Sequence, residues 1–473
     1  MKKYLTYILI FLLSLTNTLT SSLLASPIAS ASLATEVNIQ VTDTGQDLLS
    51  PPQLSADSAV LIDQESAKVL YGKSEQDLKY PASTTKILTA LLAIEYGSLD
   101  DIVTVGEEIS MIPWDSSKAY LEIGERISLN DLLYGLMLNS GNDAANTIAV
   151  YVARKVKGQG LSIEEALDYF SQMMNKRAKE AGAKNSNFVN AHGYHDNDHY
   201  TTALDMAMIT RAAMEHDVFC KIVTTQTVQN AYWESGEPRR WRNTNRLIME
   251  NSDEYYEYAT GTKTGYTGSA GNCLVSSANK DGLRLISVVL KAEPDKQWAD
   301  SKGLLEYGFS NFTCTKLLEK GSIAETLPVV EYAEDDWGSL PLMVATDTQD
   351  QVIEKKLLPK IKKEIIRDEK VLADGNRPNS LPRIKAPVYK DQKVGEIQYL
   401  LEGEVIAKAP LVATREVKAM GFTEKPVTEE KSLLNYLVII VFLISGYILL
   451  RLRISRLRRK RRRYYYLNNI GRQ

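Results

Sequence analysis

The chain has 473 residues, 44% of them hydrophobic and 24% charged, which is the composition of a globular protein with length for two domains. Its net charge of −3 hides an asymmetry: ten Lys or Arg and no acid lie in 451–473, two lysines lie at positions 2 and 3, and the remainder stands near −15. So acidic a body argues against binding of polyanions by bulk charge. Three cysteines, Cys220, Cys273 and Cys314, are too few and too scattered for a disulfide framework, although one bridge stays open.

In chain order, Lys2 and Lys3, an apolar run over 4–15 and the small residues Ala29-Ser30-Ala31 form the pattern of a secretory signal over 1–31. The mature chain is therefore expected outside the cytoplasm. A polar leader with Pro51-Pro52 occupies 32–56. "AVLID" and "KVLYG", separated by a turn, predict a hairpin. "PASTTKILTALLA" (81–93) opens a helix whose apolar face is Ile87, Leu88, Leu91, Leu92 and Ile94. Ser128 and Asp131 resemble a capping box ahead of "DLLYGLML", and helical periodicity fills 163–181 and 203–214. "NCLVSSA" and "LRLISVVL" are strands joined by Asn279-Lys-Asp-Gly282, a hairpin signal, and a helix over about 298–307 follows.

The order hairpin, helix, helical insertion, strands, helix predicts an α+β domain over 57–318, with the first and last strands in one antiparallel sheet. Strands and turns dominate 319–417, as in "KVGEIQYLLEGEVIAKAPLVA" turning at Glu402-Gly403-Glu404. A smaller all-β domain acting as spacer or interaction module is expected there. After a linker over 418–432, residues 433–450 are 18 positions without a charge, close to the roughly 20 that span a bilayer. The basic tail 451–473 then predicts a single-pass transmembrane helix with the tail cytoplasmic and the catalytic domain outside. It needs no nucleic-acid partner.

Three short segments carry chemistry. Ser83 and Lys86 are one helical turn apart, so the amine reaches the hydroxyl; it acts as a base only if burial, the helix dipole or a second cation lowers its pKa. Ser140-Gly141-Asn142 interrupts two helical patterns. It is an ordinary turn or a place where a hydroxyl relays a proton and an amide holds a substrate. Lys263-Thr264-Gly265 leads into a strand where glycine admits a substrate backbone and the lysine, Thr264 and Thr267 suit a carboxylate.

Ser-x-x-Lys, Ser-x-Asn and Lys-Thr-Gly in that order resemble the penicillin-binding proteins and serine β-lactamases. "LLYGLMLNSGNDAA", "NFVNAHGYHDNDHYTTALDMA", "NTNRL", "TGTKTGYTGSAGNCLVSSA" and "IKAPVYKDQKVGEI" narrow the resemblance to the low-molecular-weight D-alanyl-D-alanine carboxypeptidases, over about 57–417. The resemblance implies a β-lactamase-like fold and a cofactor-free enzyme acting on peptidoglycan stem peptides that end in D-Ala-D-Ala, inhibited by β-lactams and held at the cytoplasmic membrane. It implies Ser83 as acylated nucleophile, Lys86 as its base, Ser140 as proton relay and Asn142 as holder of the peptide carbonyl. It also implies that Lys263 and Thr264 anchor the terminal carboxylate with Thr267 assisting, that Gly265 admits the substrate backbone, and that the backbone N–H groups of Ser83 and Tyr266 form the oxyanion hole. Tyr266 stands where histidine is frequent, and Leu204 where arginine is frequent, which puts one carboxylate contact in question. Rival readings are a zinc site at His192, His195 and His199, a β-lactamase, a transpeptidase or endopeptidase using the same residues, and a non-catalytic wall-binding protein. The β-lactamase reading lacks a glutamate counterpart to activate the deacylating water.

Overall fold

The structure, a computed structural model, describes residues 48–229, 239–373 and 381–421 and scattered positions between 440 and 455. The predicted signal and most of the leader, of the predicted span and of the tail lie outside the described residues. Among the described residues, no helix is long and apolar enough to cross a membrane. The chain divides into two compact units, one running up to Leu317 with 348–364 and 398–408 added, the other taking 318–347, 365–397 and the chain from Ala409.

In the first unit, β1 (Ser58–Asp63) and β2 (Val69–Lys73) form the expected hairpin, and β1 also pairs antiparallel with a strand more than 200 positions away. Three helices follow: α1 (Lys86–Tyr96), α2 (Leu129–Met137) and α3 (Asn142–Lys157). Next come α4 (Ile163–Glu180), α5 (Ala203–Met214) and α6 (Asp217–Thr224). The chain then returns to the sheet as β3 (Ala259–Thr267), β4 (Gly271–Lys280) and β5 (Leu283–Ala292), and ends in α7 (Gln297–Asn311). The sheet order is β2-β1-β5-β4-β3, so first and last strands do share one sheet, and β3 is its edge. Asp281 (φ 50°) and Gly282 (φ 83°) make the tight turn between β4 and β5, with both residues left-handed as this turn class requires.

The sheet separates two cores by strand alternation. Val60, Ile62, Val275, Ile286, Val288 and Leu290 face the helical insertion, where α1 buries Ile87, Leu88, Leu91 and Leu92. Leu61, Leu274, Leu285 and Val289 face the opposite way, against Leu304, Leu305 and Phe309 of α7. A helical layer thus covers each face, and α1, α3 and β3 converge at one end.

Two local expectations change. Ser128 caps α2 by accepting from the Asp131 N–H, but its hydroxyl donates to the Asp131 carboxylate, so the reciprocal capping box is absent there. The reciprocal arrangement occurs instead at Ser162 and Glu165, at the start of α4. In the C-terminal half a six-stranded sheet carries the expected strands, among them β6 (Lys393–Leu401) and β7 (Glu404–Ala413), joined by left-handed Glu402 and Gly403.

Candidate active site

The segment around Ser83 is not the continuous helix its pattern suggests. Residues Ala82–Thr85 form one 3₁₀ turn and α1 starts only at Lys86. Two threonines hold the tighter turn: Thr84 Oγ1 donates to the Pro81 carbonyl at 2.6 Å and Thr85 Oγ1 to the Ala82 carbonyl at 2.8 Å. Such short-range side-chain bonds compete with the α-helical ladder. Ala82 is left-handed at φ 48°, a conformation that costs an alanine about 1–2 kcal/mol and turns Ser83 toward the cleft.

Lys86 is fully buried, with Nζ 2.9 Å from Ser83 Oγ, 2.7 Å from Asn142 Oδ1 and 2.8 Å from the His192 carbonyl. The last two only accept, whereas a hydroxyl both donates and accepts. An ammonium donates to all three oxygens, whereas a neutral amine donates to Asn142 and His192 and turns its lone pair to the Ser83 hydroxyl. Burial holds Lys86 well below its ordinary 10.5. The nearby Lys263 charge lowers it further, and Asp143 opposes.

Lys263, inside β3, is also fully buried. Its Nζ donates to the Thr264 carbonyl at 3.1 Å, and burial brings it down to about 7. Gly265 lets β3 touch the helix start: a Cβ there would stand 3.0 Å from both the Ser83 nitrogen and the Pro81 carbonyl oxygen. The close approach sets Tyr266, a residue 67% exposed, beside the nucleophile. Ser140 is left-handed (φ 57°), and its carbonyl accepts from Ser117 Oγ at 2.7 Å. Asn142 opens α3 and donates its N–H to the Ser117 carbonyl at 2.9 Å.

The cleft has two lobes that meet at Ser83. The larger, about 840 Å³, includes Ser140, Thr244, Thr264 and Arg242; the smaller, about 440 Å³, includes Asn142, Thr267, Asp115 and Tyr194. Thr264 Oγ1 shares a 2.7 Å hydrogen bond with Thr244 Oγ1. Thr267 differs from expectation: it lies in the other lobe, since strand residues three apart face opposite ways, and its hydroxyl accepts from the Ala270 N–H at 3.0 Å. Leu204 lines neither lobe: it packs against the helical core and donates its N–H to the Glu75 carbonyl.

Several supporting residues escaped the sequence reading. Asp143 accepts from the Ala119 N–H at 2.7 Å and the Leu121 N–H at 3.1 Å, tying the 117–121 loop to α3. His199 Nδ1 accepts from the Val189 N–H at 3.1 Å, which leaves Nε2 to donate to Thr85 Oγ1 at 2.9 Å; that hydroxyl in turn donates to Ala82. Burial lowers His199 to about 4 and His192 to about 3, so both rings are neutral at pH 7. His192 Nδ1 accepts from the Tyr194 N–H, and the exposed His195 meets Tyr80 edge to face at 4.6 Å. The three histidines considered for zinc thus serve separate packing roles, and no metal-binding cluster occurs among the described residues. The cysteines are free thiols, and burial pushes Cys273 up to about 12.

Residues 45–294 match the family model described as D-alanyl-D-alanine carboxypeptidase, and 312–419 match that of the penicillin-binding protein 5 C-terminal domain. The D-alanyl-D-alanine carboxypeptidase DacF of Bacillus subtilis is 32% identical over 377 residues, covering 78% of this chain and 87% of its own. DacA of Escherichia coli strain K12 is 30% identical over 418 residues, with coverages of 85% and 92%. Among solved structures, penicillin binding protein 5 from Haemophilus influenzae aligns with a TM-score of 0.56 at 30% identity over 78% of this chain and 99% of its own. The Streptomyces K15 DD-transpeptidase gives 0.51 at 29% identity over 55% of this chain and all of its own. The chain belongs to the D-alanyl-D-alanine carboxypeptidase family.

Proposed function

We propose that this protein is a serine-type D-Ala-D-Ala carboxypeptidase that removes the terminal D-alanine from peptidoglycan stem peptides and is acylated by penicillins. The carrying observation is the buried Lys86 amine, 2.9 Å from Ser83 Oγ with its two other partners both pure acceptors. In this reading Ser83 Oγ attacks the penultimate D-alanine carbonyl as its proton passes to Lys86 Nζ. The Ser83 and Tyr266 N–H groups receive the developing oxyanion, each contributing about 3 kcal/mol in sites of this kind. Ser140 passes the proton to the departing amine, and Asn142 holds the substrate amide. Lys263 and Thr264, backed by Thr244, bind the terminal carboxylate, and Gly265 gives the substrate room. Water then releases the acyl group and restores Ser83.

A test is incubation of the purified protein with a pentapeptide ending in D-Ala-D-Ala: free D-alanine without cross-linked dimer is expected. A penicillin adduct on Ser83, lost in Ser83→Ala, is the covalent counterpart; no adduct would favour a non-catalytic wall-binding protein. An added amine acceptor captured in place of water would support the transpeptidase reading, favoured by the K15 likeness. We also propose an exported, membrane-anchored chain, on the signal-like 1–31, the apolar 433–450 and the basic 451–473. Carbonate-resistant membrane association, lost when the chain is cut before residue 433, tests this.

A further inference from the structure

A separate cavity of about 300 Å³ lies beside the turn that joins β3 to β4 and contains none of the motif residues. Its polar walls are Lys79, Tyr80, Asn197, Tyr200, Ser269 and Lys291, and it shares only Ser269 with the smaller lobe of the cleft. Each of these side chains can donate a hydrogen bond, and no Asp or Glu lines the cavity among the described residues. The hydroxyls of Tyr80, Tyr200 and Ser269 and the Asn197 amide have no hydrogen-bond partner among the described residues. Lys291 Nζ lies 2.9 Å from Asp57 and Lys79 Nζ 3.9 Å from Asp77, two carboxylates outside the cavity walls. Lys73 donates nearby to the Leu54 and Ala56 carbonyls. The hydrogen bond from Lys291 holds the Asp57 carboxyl below its ordinary 3.8 against burial, and the charges of Lys79 and Lys73 add to it. Three ammonium groups thus stand against two carboxylates, a local positive excess on a body that is acidic overall.

The walls are fixed by bonds of their own. Lys79 and Thr201 exchange both backbone hydrogen bonds, at 2.8 and 2.9 Å, and so do Asn187 and Tyr200, at 2.8 and 3.0 Å. The Asp198 N–H donates to Asp196 Oδ1 and closes the turn that presents Asn197, while the Ala270 N–H on Thr267 Oγ1 sets the turn that presents Ser269. The Lys79 side chain is only 20% exposed, so its ammonium is held by the fold. No arginine lines the cavity, so nothing there offers the planar fork that pairs with a carboxylate. Lysine point charges and hydroxyls on several elements suit a tetrahedral group instead. We infer that this cavity binds a phosphate-type oxyanion, the group of a phosphate ester or diester that is not the peptide substrate, with Lys79 as counter-ion and Tyr80, Tyr200 and Asn197 as donors. The bland alternative is a hydrated notch without a ligand.

The probe is inorganic phosphate, titrated against the full chain in a neutral detergent and read by phosphorus NMR line broadening, with far-UV circular dichroism to confirm that each variant folds. Saturable broadening is expected, weakening as salt rises. Lys79→Gln should lower the affinity about fivefold, Lys79→Arg should restore it to within about twofold, and Tyr200→Phe, which removes one hydroxyl, should cost about twofold. Displacement by glycerol phosphate alone would mark the ligand as a monoester, and displacement also by a glycerol phosphodiester would mark it as the backbone phosphate of a polymer. No saturable broadening in the wild type overturns the site. So does broadening that survives in Lys79→Gln but is lost in Lys263→Met, which would place the ion in the cleft. Acetate that displaces the phosphate at equal concentration overturns the ligand class.

Discussion

The helix start and the strand edge each bury a lysine completely, yet treat it differently. Lys86 meets three oxygens within 2.9 Å, whereas Lys263 finds one backbone carbonyl at 3.1 Å. A lysine whose partners are complete in the free protein is prepared to exchange a proton with the hydroxyl among them. A lysine with donors to spare waits for an anion to complete it. Electrostatics point the same way: burial first and the Lys263 charge second depress Lys86, while burial is the cause that lowers Lys263.

The largest effect that would break this contrast is at the helix start. Lys86→Met should cut acylation by penicillin about 10⁴-fold or more, as removal of a catalytic base does in other acyl transferases, while the protein still folds. Stopped-flow acylation and far-UV circular dichroism read the two arms; near-normal acylation would remove Lys86 from the mechanism. Lys263→Met should lower kcat/KM for D-Ala release about 10²-fold or more, in the range of losing one charge-stabilising donor.

The same variant sharpens the comparison through stability. Lys263 has a folded value of about 7, below its ordinary 10.5, so between those pH values the unfolded chain binds more protons. Its contribution to stability therefore falls as pH drops from 10.5 to about 7, and the full penalty is present below that. Lys263→Met should accordingly be more stable than wild type at pH 6, by about 1–3 kcal/mol in a denaturant titration, with the gain shrinking toward pH 10.

The wild-type pH profile follows from the same pair. kcat/KM reports the free protein. It should rise as Lys86 loses its proton and fall near pH 7 as Lys263 loses its own. The falling limb should lie higher in kcat, because a bound carboxylate favours the charged lysine. A profile flat from pH 5 to 10 would contradict both assignments. The smallest effect is expected at Tyr266→His, within about threefold in kcat/KM, since the role assigned to this position belongs to the main chain; a loss of two orders of magnitude would mean that the exposed ring itself takes part.

How far the sequence revealed this site depends on how local each part is. Ser83 with Lys86, Ser140 with Asn142, and Lys263 with Thr264 each lie within four positions, so spacing and residue type bring them forward as candidates, and the order of the three motifs with the family resemblance assigns their roles. The supports of these groups are contacts across distance. His199 reaches Thr85 over 114 positions and Asp143 reaches Ala119 over 24, and a buried histidine or aspartate with an ordinary partner leaves no periodic mark. Gly193 is one more such case. It is left-handed at φ 83°, and a Cβ there would stand 1.8 Å from the Ala82 carbonyl oxygen, yet in sequence it is one glycine in a loop of polar residues. The α+β order was legible because strands and helices alternate in blocks. The 3₁₀ turn at Ser83 was not, because threonine hydroxyls rather than hydrophobic period decide it.

Among the described residues, strand β3 ends its sheet with one side unpaired, directly beside Ser83. An extended peptide that pairs with that edge is read by register as well as by its side chains. For the substrate proposed above, a slip of one residue would turn every side chain to the opposite face and carry the terminal carboxylate away from Thr264. Under that reading the open edge would work as a ruler whose zero mark is the carboxylate, so that the last peptide bond is selected by counting from the chain end.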